Sequence, residues 1–223
     1  MRNLALDRDG AFLISPALSA AGLATLEAQL EPSDVSRPGV RLFGKPGING
    51  LLAKDGLIGR WIAALSEAPL RPVRAVLFDK SDDNNWSLGW HQDRVIAVKA
   101  QIDVPGYGPW SRKHGELHVA PPFSILEAML TIRVHIDPVD ADNAPLLVAL
   151  GSHQLGRISA SDCARVAASL ETIPCLADAG DIWVYRTPIV HASDAARRPR
   201  RRRVLQVDYA SGPLLGGLEW LGV

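Results

Sequence analysis

Between Pro72 and Tyr209 the chain breaks into short runs of β-branched and aromatic residues, separated by Asp, Asn, Gly and Pro. That texture constrains the fold more than any other feature, because short strands closed by tight turns must share partners within a sheet. Eight strands are expected: Val73–Lys80, Arg94–Gln101, Met129–Asp137, Pro145–Leu150, Thr172–Cys175, Asp181–Arg186, Ile189–Ser193 and Arg202–Tyr209. A short helix near Ser161–Leu170 precedes the fifth. The pattern predicts a mainly β protein with flanking α-helices, built as a double-sheet jelly roll. One stretch, Asp103–Phe123, is long, irregular and rich in Gly and Pro. A loop of that kind inside a compact domain is usually functional, and here it is expected to cover a site as a lid.

The first 70 residues read differently. Ser19–Leu30 carries Leu23, Leu26 and Leu30 at helical spacing, with Ser19 placed to cap it. A second helix is expected from Leu57 to Leu65, ended by Pro69. No repeat or low-complexity linker divides the 223 residues, so one domain is expected over 1–223. It comprises a helical flank (about 1–70), a jelly-roll core (about 72–210) and the lid insertion (about 103–123). The 24 basic and 24 acidic side chains cancel, which argues against a nucleic-acid partner. No apolar run reaches the ~20 residues of a membrane span, and Asp7, Arg8 and Asp9 interrupt any secretory core. A soluble, cytoplasmic protein with a small-molecule partner is expected. Cys163 and Cys175 read as buried small hydrophobes.

The chemistry rests on few residues. His91-Gln92-Asp93 is expected to open the second strand, and His191 lies on the seventh. In an extended segment His91 and Asp93 fall on one side, because side chains alternate. A histidine from a facing strand would complete a triangle on one face of a metal, the arrangement of non-haem Fe(II) oxygenases. Its open face leaves two positions for an anionic co-substrate and one for O2. A second triplet, His135-Ile136-Asp137, is an internal control. Too few strands separate it from His191, and Asp137-Pro138 reads better as a turn.

Several segments together resemble the phytanoyl-CoA dioxygenase family. They are Phe78-Asp79-Lys80, Asn85-Trp86, Trp90-His91-Gln92-Asp93, Asp142-Asn143-Ala144-Pro145-Leu146, Gly151-Ser152-His153, Gly180-Asp181-Ile182 and His191-Ala192-Ser193, followed by arginines. The resemblance covers about residues 72–210. It implies a cupin-like double-stranded β-helix that uses Fe(II), O2 and 2-oxoglutarate, the last split to succinate and carbon dioxide as substrate is hydroxylated. Carried over by position, the metal ligands are His91, Asp93 and His191. The family's 2-oxoglutarate arginine falls eleven residues beyond the distal histidine, at Arg202. Ser193 matches a hydroxyl position touching the co-substrate, and Lys80 a recurring lysine. Gln92, Trp90 and Arg133 are candidate substrate-side residues.

The register of the arginine is contested within the sequence. Leu205, Val207 and Tyr209 share parity with Arg203, so simple alternation sends Arg203 to the apolar face. Arg202 is preferred because Gln206 and Asp208 share its parity and the interior near a metal is polar; Arg203 and Arg200 stand next. The run Arg197–Arg203 as a whole reads as mostly solvated, with one member turned inward. His114 and His118 are either substrate contacts or surface histidines, and His153 a structural or rim residue. Asp93 disfavours a halogenase, in which a small residue replaces the carboxylate. A zinc-type hydrolase and a non-catalytic jelly-roll module are the other readings.

Overall fold

The computed structural model describes residues 4–30, 39–113 and 115–223. Thirteen strands, six α-helices and one 3-10 helix (Ser152–Leu155) are assigned there. The strands are β1 (Ala11–Ile14), β2 (Val40–Arg41), β3 (Leu70–Lys80), β4 (Leu88–His91), β5 (Ile96–Val98), β6 (Trp110–Lys113), β7 (Glu116–Val119), β8 (Leu130–His135), β9 (Leu146–Ala149), β10 (Thr172–Cys175), β11 (Ile182–Arg186), β12 (His191–Ser193) and β13 (Arg202–Ser211). The helices are α1 (Leu6–Asp9), α2 (Ala20–Glu27), α3 (Pro46–Leu52), α4 (Gly59–Ala63), α5 (Phe123–Glu127) and α6 (Cys163–Ala168). A six-stranded sheet runs β1-β11-β8-β13-β3-β2, and a four-stranded sheet runs β10-β9-β12-β4. The pairings within both sheets are antiparallel. The two sheets face each other as the jelly roll that the short strands predict.

The six-stranded sheet is apolar on its outer face. Ala75 and Leu77 of β3, Leu130, Ile132 and Val134 of β8, Ile182 and Val184 of β11, and Leu205, Val207 and Tyr209 of β13 pack with Leu26, Ile48, Leu52, Ile58 and Ile62 from the helical layer. This explains the parity conflict around Arg203. The apolar face of β13 looks out toward the helices, and the face bearing Arg202, Gln206 and Asp208 looks into the barrel. Ser19 caps α2 by accepting a hydrogen bond from the Gly22 amide.

Three expectations change. The second strand does not run Arg94–Gln101 and does not open on His91. His91 closes β4, and β5 begins at Ile96 in a separate three-stranded sheet, β5-β7-β6. Gly89 breaks the alternation that would have marked β4. His191 does not face His91 across the barrel mouth; the two are cross-strand neighbours in one sheet. The Asp103–Phe123 stretch is only partly irregular: residues 103–109 and 120–122 carry no strand, but between them lies the β6–β7 hairpin. Tyr107, Leu117 and Val119 pack there with Leu214, Leu218 and Trp220 from the C-terminal segment. Nothing described from 103–123 lines the cavity between the two main sheets. Among the described residues no helix is long and apolar enough to cross a membrane.

Ile132 is fully buried and sits between Val184 and Val207 under the helices. Ile132→Ala is expected to cost about 2–5 kcal/mol. Urea denaturation should show a lower midpoint with an unchanged slope. A loss below ~1 kcal/mol would mean that this contact between sheet and helices is slack.

Candidate metal centre

The inner faces of the two sheets enclose a cavity of about 160 Å³. The larger sheet contributes Arg74, Phe78, Arg133, Arg202 and Gln206, and the smaller contributes Leu88, His91, Leu146, His191 and Ser193. Asp93 enters from the segment after β4, and Trp86 from the segment before it.

One ligand atom each from His91, Asp93 and His191 lies within 4.8 Å of the others. His191 stands directly opposite His91 across the β12–β4 pair, which sets the rings 4.2 Å apart at their centroids. Backbone carbonyls orient both rings. His91 Nδ1 lies 2.7 Å from Gly89 O, and His191 Nδ1 lies 2.9 Å from Ile189 O. A carbonyl only accepts, so each Nδ1 carries the proton and each Nε2 keeps its lone pair. Asp93 Oδ2 is buried with no hydrogen-bond partner among the described residues. Two imidazole lone pairs and a spare carboxylate oxygen, all aimed at one point, fit a divalent metal held on one face.

The electrostatics suit the same group. Burial works to raise the Asp93 carboxyl, but His191, Arg74, His91 and Lys113 outweigh it and hold it below the usual carboxylate range. Burial pushes the His191 imidazole down to about 4. Metal binding needs a neutral imidazole and an ionised carboxylate.

Gln92 holds this segment in place. Its amide donates to Gly156 O (3.0 Å) and Pro188 O (2.8 Å) and accepts from the Ile158 amide (2.9 Å). These bonds use its polar atoms on the side opposite the ligands. Gln92 therefore does not line the cavity, and its place between the ligands is to orient the segment that carries them. Trp90 is turned away too, packed against Ala149, Ile158, Cys163, Ala167 and Val190.

At one end of the cavity Arg202 opens β13 opposite Lys80. Arg202 is 2% exposed. Its Nη1 donates to Ala144 O, and its Nε has no partner among the described residues. Burial lowers its guanidinium to about 9, and the Arg133 charge adds to the effect. Ser193 Oγ is likewise buried and unpartnered. Lys80 lies behind the lining, its Nζ donating to Asp194 O at 2.9 Å. Burial brings that ammonium to about 8, with Arg202 and Arg133 pushing the same way. Arg133 faces the cavity, donating to Gln206 Oε1 at 2.7 Å. Arg203 points out of the barrel, where two of its nitrogens meet Asp137 at 2.9 and 2.7 Å.

The other candidates sit elsewhere. His118 is fully buried in the hairpin, not on the surface, and His153 touches Asp7 O in the N-terminal segment. His114 lies outside the described residues. Cys163 and Cys175 are buried and free. Sequence reasoning missed Arg74, Phe78, Trp86, Leu88 and Leu146 as lining residues, while Gln206 lies on the interior parity it gave to Arg202. For Arg74 and Phe78 a signal existed: both share strand parity with Lys80.

The phytanoyl-CoA dioxygenase family model matches residues 6–204. No curated protein sequence matches the chain. Solved structures share its fold. EctD from S. alaskensis with bound Fe is 16% identical at a TM-score of 0.65, covering 98% of this chain and 78% of its own. The non-haem α-ketoglutarate-dependent epimerase SnoN from nogalamycin biosynthesis is 17% identical at 0.64, with 93% and 80% covered. HygX from Streptomyces hygroscopicus, with nickel and 2-oxoglutarate bound, is 14% identical at 0.62, with 92% and 84% covered.

His91→Ala and His191→Ala are each expected to weaken Fe(II) binding at least ~100-fold, since losing even an outer-shell partner of a ligand costs about 10–100-fold. Anaerobic equilibrium dialysis measures this. Wild-type affinity in both variants would remove the triad as a metal site.

Proposed function

This chain belongs to the phytanoyl-CoA dioxygenase family, and we propose on that footing that it is an Fe(II)- and 2-oxoglutarate-dependent dioxygenase hydroxylating a small organic molecule. The observation that carries the reading is the convergence of His91, Asp93 and His191 on one point, each with a ligand atom to spare. When bound, Fe(II) with 2-oxoglutarate and O2 supplies the oxidising chemistry, releasing succinate and carbon dioxide.

The chain's own residues bind, orient and exclude water. His91 and His191 present Nε2, and Asp93 presents Oδ2. Arg202, still charged at neutral pH, offers a planar fork to the far carboxylate of 2-oxoglutarate, where two parallel hydrogen bonds fix both position and direction. Its unpartnered Nε and the unpartnered Ser193 Oγ are donors that such a carboxylate would satisfy. Lys80 and Arg133 raise the positive potential at that end. Gln92 acts on the site only through the backbone it anchors. Phe78, Trp86 and Leu88 form an apolar wall that receives the substrate body and displaces water.

Other readings are less well supported. A halide has no place in a ligand set that keeps Asp93. A zinc hydrolase has no use for spare carboxylate donors at Arg202 and Ser193, and a non-catalytic module no need to keep them buried and unpaired.

Anaerobic addition of Fe(II) and 2-oxoglutarate to the full chain should produce a visible charge-transfer band; its absence would overturn the reading. Under 18O2 the product should gain one labelled oxygen, whereas an isomer of unchanged mass would mark an epimerase. Arg202→Ala is expected to raise KM for 2-oxoglutarate at least ~10-fold, the loss of ~1.4 kcal/mol or more expected for a charge-assisted hydrogen bond. Fe(II) affinity should not change. Arg203→Ala should leave KM near the wild-type value, and the reverse result would move the clamp to Arg203.

A further inference from the structure

We propose that the substrate is a monoanionic organic acid whose carboxylate is held by Arg133, with its apolar body laid along Phe78 and Trp86. This deepens the oxygenase reading and rests on it.

The charge balance of the loaded site is the starting point. Arg74 is ion-paired with Asp208 at 3.2 Å, and Arg41 with Glu116 at 3.4 Å. Lys80 has the exposed Asp194 carboxylate within electrostatic range. The two charges of Fe(II) would be met by Asp93 and by one carboxylate of 2-oxoglutarate, and the other carboxylate would meet Arg202. Among the described residues of the cavity lining, Arg133 is then the guanidinium left without an opposing charge.

The surroundings of Arg133 hold no acid to supply that charge. Arg133 is 6% exposed. None of the ion pairs among the described residues involves it. Its Nη1 donates to the neutral Gln206 amide at 2.7 Å, and its Nε is buried without a hydrogen-bond partner. Its charge acts on Lys80, His135, Cys175, Tyr185, His191 and Arg202, none of them a carboxylate. A buried cation held only by a neutral amide is costly. An organic anion supplies the missing charge, and a planar fork with an open N–H is shaped for a carboxylate.

The register separates this anchor from the co-substrate arginine. Arg133 stands opposite Gln206, and Lys80 opposite Arg202. The two arginines therefore belong to rungs four residues apart along β13, about 13 Å at ~3.3 Å per residue. Different acceptors hold them, Gln206 Oε1 and Ala144 O. Arg133 is also within electrostatic range of the metal ligand His191. The apolar wall begins at the same guanidinium. Its central carbon lies 5.4 Å from the Phe78 ring centroid, and the Phe78 and Trp86 rings lie 6.2 Å apart. An acid bound at Arg133 reaches this wall without a long spacer, with the half-exposed Leu88 beyond it. A carboxylate on a compact apolar body fits that arrangement.

The test uses the full chain under anaerobic conditions, saturated with Fe(II) and 2-oxoglutarate. It is titrated with benzoate, phenylacetate and 3-phenylpropionate, each against its own neutral amide, read by calorimetry and by shifts of the charge-transfer band. At least one acid should bind ~10-fold or more tighter than its amide, the least that a charge-assisted hydrogen bond is worth, and the band should persist. No acid preference, or acid binding that bleaches the band by displacing 2-oxoglutarate, overturns the proposal. Arg133→Gln should erase the preference; a preference that survives sinks the idea. A loss of 2-oxoglutarate affinity in Arg133→Gln as large as the loss of acid affinity also overturns it, because Arg133 would then serve the co-substrate. Arg133→Lys keeps the charge but not the fork, and it stands in should Arg133→Gln fail to fold. It should weaken the acid at least ~5-fold while leaving the amide and 2-oxoglutarate within ~3-fold; any other pattern counts against Arg133. If no charge-transfer band forms, the oxygenase reading has failed. Calorimetric titration of metal-free Arg202→Gln, with and without Arg133→Gln, then decides the acid site by the same preference.

Discussion

The six-stranded sheet places its hydrophobic driving force on the outside of the barrel, and the rest of the structure depends on that arrangement. Leu205, Val207 and Tyr209 of β13 are buried against the helical layer, and the Tyr209 hydroxyl donates to Leu52 O at 3.0 Å. Burial of this face supplies apolar stabilisation without using the interior. The opposite face of the same strands is then released to carry Arg74, Lys80, Arg133, Gln206 and Asp208. In most two-sheet proteins the space between the sheets is the core. Here only part of it is: Leu146, Val148, Cys175, Trp183 and Tyr185 fill one region, and the cavity with its polar walls takes another.

Interior charge is expensive, and the partners provided are incomplete. Lys80 is held by one carbonyl, Arg202 by another and Arg133 by Gln206. Asp93 Oδ2, Ser193 Oγ and the Nε atoms of Arg74, Arg133 and Arg202 remain without hydrogen bonds among the described residues. Burial pushes Lys80 and Arg202 toward their neutral forms, as desolvation must. Unsatisfied groups of opposite sign converging on one cavity indicate a site completed by its ligands. On the proposed reading, the carboxylate would serve a cation and Arg202 an anion.

The arginine run before β13 explains how Arg202 reaches the interior. Arg197 and Arg198 meet Asp142, Arg200 meets Asp140, Arg201 meets Asp79, and Arg203 meets Asp137 and Glu27. Most of these pairs are solvent-exposed, so each contributes little to stability. Together they tie the run to the loop that starts at Asp137 and to the end of β3. With Arg201 and Arg203 anchored outside, strand alternation turns Arg202 inward. The run that resembles a basic patch in the sequence is thus neutralised by acids scattered from Glu27 to Asp142.

Strand texture alone was enough to read seven of the ten strands of the two main sheets (β3 and β8–β13), because each keeps local alternation and ends at Asp, Gly or Pro. The helical spacing of Leu23 and Leu26 likewise marked α2. The triplet His91-Gln92-Asp93 and the distant His191 were legible because ligand chemistry restricts residue type and local spacing. Other features were hidden for physical reasons. β4 carries Gly89 and no clean alternation, and the β6–β7 hairpin lies in a stretch whose turn residues mask its strands. Gln92 and Trp90 looked functional by proximity, yet the pleat sends them away from the ligands. Sequence by itself determined the sheet class and the metal-ligand candidates, since those depend on residue type and short-range period. Only the tertiary structure decided which face of each strand is the interior, which arginine enters it and that Arg74 shares the site, because burial and charge pairing are set by neighbours far away in the chain.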